Sequence, residues 1–191
     1  MILSDKSIRK RLADGSLTID PLAPHQIQPA SVDLHLGRET LLVDEKEQAK
    51  LVAGEEVVYR KSEGEKILFP GQCFMLVMTA QVVRLPHDLT AFVQGLSSMG
   101  RMGLLIQNDG WVDPGFDGNL TLAFYNANRI PVELRAGCRI CQLVLARLDR
   151  RLEAPYHGKY QGFRGVVGSR TAESAGAADE AGSADRIASD P

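Results

Sequence analysis

Ser97, Ser98 and Arg101 lie in the run Gly95-Leu96-Ser97-Ser98-Met99-Gly100-Arg101-Met102-Gly103. Two hydroxyls on a Gly-flanked turn, with a guanidinium three residues beyond the second, supply O–H, backbone N–H and charged donors for phosphate oxygens. If the segment turns helically, Ser98 and Arg101 reach the same anion. Downstream stands Asn108-Asp109-Gly110-Trp111-Val112-Asp113-Pro114-Gly115. The Asp113 carboxylate, between an apolar residue and a turn, is placed to hold a sugar hydroxyl or orient a water. Trp111 offers a ring that can pack beside or under a base. Asn108-Asp109-Gly110 carries a strong hairpin signal. A hairpin tip there can read a pyrimidine edge through backbone groups and leave no room for a 2′-hydroxyl.

These groups need a rigid frame, and the chain around them reads as short strands. Ser4–Ala13 is predicted as a short helix, with Ser4 at its N-cap, Ile8 and Leu12 one turn apart and Gly15 closing it. From about Leu17 to Leu152 β-type runs alternate with turn signals such as Pro70-Gly71, Asp109-Gly110, Pro114-Gly115 and Ala136-Gly137. That spacing predicts a mainly β fold, a sandwich or barrel rather than βαβ units. Ser97–Gly103 adds one short internal helix. Leu41–Gly64 is charged and without firm pattern, a hairpin or peripheral loop. Alternation from Val32 to Leu36 puts Asp33 and His35 on one face of a strand and the leucines on the other.

The chain has 191 residues, 44% hydrophobic and 24% charged, with net charge -2. This composition predicts one globular domain over residues 1–170. It gives no electrostatic case for nucleic acid. No apolar run approaches a membrane span and no signal-peptide pattern is present, so the expectation is a cytoplasmic protein without a membrane partner. Residues 171–191, rich in Ala, Gly, Ser, Asp and Glu, are predicted as a disordered tail. Three cysteines do not suggest a disulfide framework. Cys138 and Cys141, three apart on a predicted strand, face opposite ways, which argues against zinc.

On the residues quoted, together with Pro29-Ala30-Ser31-Val32-Asp33-Leu34, Phe124-Tyr125-Asn126 and Gly137-Cys138-Arg139-Ile140-Cys141-Gln142-Leu143, the chain resembles the dCTP deaminase and dUTPase superfamily over about residues 1–170. The dCTP deaminase branch is the most similar. The resemblance implies a dUTPase-like distorted β-barrel or jelly roll, and a homotrimer with sites between subunits. It implies zinc-independent conversion of dCTP to dUTP and, in bifunctional members, on to dUMP, with Mg²⁺ carried by the triphosphate and not held directly by protein. Ser97 and Arg101 then serve catalysis, Ser98 binds phosphate, and Asp113 contacts the deoxyribose or the attacking water. Asn108, Trp111 and Gln142 complete the nucleotide site. Residues 153–170 form a lid whose Tyr156, Lys159, Gln161 and Arg164 close over base and triphosphate.

Four positions depart from the deaminase pattern. Ala123 stands where the catalytic glutamate precedes Phe-Tyr-Asn, Leu96 where a basic residue precedes the serines, and Phe163 where a glutamine is usual. The segment between Arg101 and Asp113 is one residue shorter, which puts Asp109 near the base as a possible substitute for the glutamate. Three readings follow: a deaminase using Asp109; a dUTP diphosphatase retaining Ser98, Arg101, Gln142 and Asp113; and a nucleotide-binding protein without turnover.

Overall fold

The computed structural model describes residues 1–107, 111–150, 152–154 and 156–171. Its elements are helix α1 (Asp5–Ala13), strands β1 (Thr18–Asp20), β2 (Ile27–Gln28), β3 (Ser31–Val43), β4 (Tyr59–Glu63), β5 (Lys66–Phe69), β6 (Phe74–Arg84) and β7 (Leu89–Gly95), helix α2 (Ser97–Arg101), then β8 (Leu104–Gln107), β9 (Trp111–Val112), β10 (Asp117–Asn126), β11 (Val132–Arg135) and β12 (Arg139–Arg147). The mainly β fold with a short N-terminal and a short internal helix is as the sequence predicts. Ser4 takes the extended N-cap conformation, although its side chain makes no capping bond. Gly15 follows at φ 75°, a conformation that glycine adopts without strain.

The chain divides into two compact units, Met1–Leu42 with Lys61–Val167, and Val43–Arg60 with the segment from Gly168. In the smaller unit Asp44 N–H donates to Val58 O at 2.9 Å, and Ser169 N–H donates to the Tyr59 hydroxyl at 3.1 Å. The segment expected as hairpin or peripheral loop thus includes the end of β3 and all of β4.

The larger unit contains the core. Strands run in the order β8-β10-β6-β3-β12-β7-β9. β8 and β9 therefore lie at opposite ends of the path, yet only three residues separate them in sequence. Four residue steps reach at most about 14 Å, so the sheet must curl until its ends approach. Gly95 at the end of β7 marks the closure: a Cβ built there would stand 3.5 Å from Ile106 Cβ on β8. The hairpin predicted at Asn108–Gly110 lies outside the described residues. Among the described residues β8 pairs with β10 and β9 with β7, not with each other. An Asn-Asp-Gly signal reports turn chemistry, while the partner of each flanking strand is chosen by the hydrophobic interior.

That interior is lined by alternating positions such as Val32, Leu34 and Leu36 of β3, Met75 and Val77 of β6, and Leu143 and Leu145 of β12, all at most 2% exposed. Phe124 of β10 is fully buried, its ring 5.3 Å from that of Phe69. Between Asn119 and Thr121 the register of β10 against β6 shifts. The bulge is held by polar groups: Asn119 Nδ2 donates to Thr79 O (2.9 Å) and Gln81 O (3.0 Å), and Leu120 N–H donates to Thr79 Oγ1 (3.0 Å). Replacing Phe124→Ala should lower unfolding free energy by about 3–5 kcal/mol. Urea unfolding measures this, and an unshifted midpoint would contradict the packing described.

Candidate functional site

The sequence motifs gather in two places, at opposite ends of β7. At one end α2 carries Ser97, Ser98 and Arg101, all exposed. Among the described residues their side chains make no hydrogen bond or ion pair, which leaves two hydroxyls and a guanidinium turned to solvent. Leu96, just before them, is buried and contributes no charge.

Beside α2 runs a polar row across three strands. Asp33 of β3 is the register partner of Gln142 on β12, and Gln142 is that of Gln94 on β7. The Asp33 side chain is only 4% exposed. Its carboxylate accepts from Arg139 Nη1 at 2.9 Å, Gln28 Nε2 at 3.0 Å and, at longer range, Gln142 Nε2 at 3.4 Å. Burying a carboxylate is costly unless donors compensate it, and here they do. Gln142 was expected in the site; the Arg139–Asp33 pair, 106 residues apart in sequence, was not. The available signal was the alternation that sets Asp33 on the polar face of its strand. His35, the register partner of Arg139, accepts at ring Nδ1 from Gln81 Nε2 (3.3 Å), and Gln81 Oε1 accepts from the His35 backbone N–H (2.9 Å).

At the far end of β7, Ala91 pairs with Val112, and Thr90 Oγ1 donates to Val112 O at 2.8 Å. Asp113 follows, half-buried, and opens a turn in which Phe116 N–H returns to Asp113 O and Gly115 takes φ 87°. The five residue steps from Thr90 to Gly95 cover about 17 Å of strand. Within one chain, Asp113 is therefore not brought together with Ser97, Ser98 and Arg101. Trp111, 58% exposed, packs edge-on against Phe92 with ring centroids 4.7 Å apart.

The C-terminal segment meets the Asp113 turn. Tyr156 N–H donates to Pro114 O, and its ring lies 6.3 Å from Phe116. Gln161 accepts from Asp117 N–H at 3.1 Å and donates to Gly115 O at 2.8 Å, while Arg164 pairs with Asp117 at 2.7 Å. Lys159 stands 5.6 Å from the Tyr160 ring centroid. Further along, Gly165 N–H donates to Asn119 Oδ1, Val166 N–H to Glu39 Oε2 and Val167 N–H to Thr121 Oγ1. Residues expected to close over nucleotide thus hold the segment against the barrel wall. The hydrogen bond from Lys61, and then that from Val166 N–H, lowers the Glu39 pKa below its ordinary value.

Ala123 lies midway along β10, 2% exposed, between register partners Leu76 on β6 and Gln107 on β8. Its methyl cannot transfer a proton. Gln107 leads directly into Asn108 and Asp109, which lie outside the described residues, as does the predicted tail beyond Thr171. Among the described residues no group of three or more His, Cys, Asp or Glu converges on a common point. Burial pushes the Cys141 thiol up to about 12.

A family model described as dCTP deaminase-like matches residues 2–148. Among curated relatives, "dCTP deaminase, dUMP-forming" of Sulfurihydrogenibium sp. (strain YO3AOP1) is 49% identical over 174 residues, 89% of this chain and 97% of the relative. The protein of the same name from Aquifex aeolicus (strain VF5) is 47% identical over 180 residues, 89% of this chain and 94% of the relative. The crystal structure of 2′-deoxycytidine 5′-triphosphate deaminase from Agrobacterium tumefaciens aligns with TM-score 0.59 and 25% identity over 75% of this chain. This chain spans 47% of that one, about half its length. Native EIAV dUTPase aligns at TM-score 0.41 and 24% identity, over 58% of this chain and 91% of that one.

Two acid steps in stability follow from the site. Burial, then the charge of His25, lowers the His35 pKa from 6.5. The unfolded chain then takes up that proton first, and stability falls as pH drops through about 6.5. Glu39 acts in a lower window: its contribution is present above 4.5 and is lost as pH falls through its lowered folded value. Melting midpoints between pH 7.5 and 5.5 should drop less in His35→Asn than in wild type; equal drops would remove His35 from this account.

Proposed function

Because the chain belongs to the dCTP deaminase-like family, we propose that it acts on pyrimidine deoxynucleoside triphosphates, taking dCTP through dUTP to dUMP. The reading is supported by the relatives' name, "dCTP deaminase, dUMP-forming", and above all by the unpartnered Ser97, Ser98 and Arg101 beside Gln142. These side chains have the donors that a triphosphate needs. In the hydrolytic step water attacks the α-phosphorus and pyrophosphate leaves. Asp113 orients that water. When bound with the triphosphate, Mg²⁺ would supply Lewis-acid polarisation of its phosphoryl oxygens. Trp111 and Asn108 take the base, while Tyr156, Lys159, Gln161 and Arg164 cover the nucleotide.

The roughly 17 Å of β7 between Asp113 and α2 is the reason to propose a homotrimer with shared sites. Asp113 of one copy can then meet the phosphate donors of another. A soluble, cytoplasmic setting completes the reading, with neither nucleic acid nor membrane as partner.

Deamination adds water at cytosine C4, protonates N3 and expels ammonia, so a proton carrier is required. With Ala123 in the strand, we assign that role to Asp109. The buried methyl favours a second reading, a dUTP diphosphatase on the same scaffold; binding without turnover is the third outcome of the test. Purified protein given dCTP or dUTP with Mg²⁺ separates them by chromatography. Formation of dUTP or dUMP from dCTP supports the first reading. Pyrophosphate from dUTP with dCTP untouched selects the second, and tight binding without product the third. Ala123→Glu should raise deamination by about 10²–10⁴-fold; no gain in a folded variant would overturn the missing-carboxylate account.

A further inference from the structure

Arg139 belongs to none of the roles assigned so far, yet its surroundings are built with care. Its side chain is half exposed (50%), and one guanidinium nitrogen is tied to the almost fully buried Asp33 carboxylate. A guanidinium has five N–H donors, so this pairing leaves others facing solvent. The β12–β7 register matches Gln142 with Gln94 and Cys141 with Gly95. Continued by two residues, it brings Arg139 level with Ser97, where α2 begins. On its other side Arg139 faces His35, whose ring Nδ1 is occupied by Gln81.

We infer that Arg139 is a second cation of the polyphosphate site, held in place by Asp33 as a positioning residue, and that with Gln142 it grips the phosphate tail beyond the reach of Ser98 and Arg101. This rests on the proposed triphosphate substrate. Asp33 does for Arg139 and Gln142 what a fixed counter-charge does for any flexible donor: it removes rotamer freedom before the ligand arrives. The residue that precedes the serines cannot help, because Leu96 is apolar and 8% exposed. Here the acid is buried and the base is presented.

The inference is tested by titrating wild type, Arg139→Gln, Arg139→Lys and Asp33→Asn with α,β-imido-dUTP and with dUMP, following heat or Trp111 fluorescence. A charge-assisted hydrogen bond of about 1.5–3 kcal/mol corresponds to roughly 10- to 150-fold in affinity. Arg139→Gln should weaken the triphosphate analogue by at least tenfold and dUMP by less than twofold, with Arg139→Lys intermediate. Asp33→Asn should show the same selective loss. Because Asp33 is buried and its variant can fail to fold, the surface variant Arg139→Gln carries the decision. If folded Arg139→Gln keeps its preference for triphosphate over monophosphate, or loses both ligands equally, the inference is overturned while the proposed function stands. Wild-type protein that binds neither imido-dUTP nor dCTP overturns both.

Discussion

A strand order whose two ends are covalent near-neighbours governs this molecule. β8 and β9 stand at the two extremes of the sheet path with three residues between them, so no flat arrangement satisfies the chain. Curling turns one face of every strand inward and demands large apolar side chains there. It also demands something small where the wall closes, which is the position of Gly95 against Ile106. The twist natural to L-residue strands makes such curling cheap.

Closure also decides where polar groups can survive. The β10 bulge frees backbone groups that a regular ladder would have paired, and the side chains of Asn119 and Thr79 take them up. The same Asn119 then accepts from Gly165, so the bulge becomes a docking point for the C-terminal segment. Glu39, Thr121 and Asp117 continue that row of acceptors. The C-terminal segment is thus held also by hydrogen bonds to strand side chains, each of modest net value. Their number compensates.

The chemistry divides along β7. One end gathers phosphate donors around α2 and the Asp33 carboxylate; the other holds Asp113 within a turn braced by Gln161 and Tyr156. Ala123, 2% exposed on β10, offers only a methyl. The physical requirements of the two half-reactions differ accordingly. Triphosphate hydrolysis draws on donors and a water-orienting carboxylate, the roles proposed for Ser98, Arg101 and Asp113, whereas deamination draws on a proton carrier, which the Ala123 methyl cannot be.

Much of this was legible in the residues alone. Period-two alternation predicted the strands, and Ser4 with Gly15 framed the first helix. The Ser-Ser-x-x-Arg run, expected as a short internal helix, forms α2, because these are local properties of short segments. The pairing of distant segments was not. Asn108-Asp109-Gly110 reads as a hairpin, but its flanking strands find partners at opposite ends of the sheet. Asp33 and Arg139 meet only because β3 and β12 are neighbours in the barrel, and Asp113 is parted from α2 by the length of a strand. Sequence fixes turn chemistry and face; which faces meet depends on the closed interior, where burial of apolar surface is shared by the whole chain and belongs to no single segment.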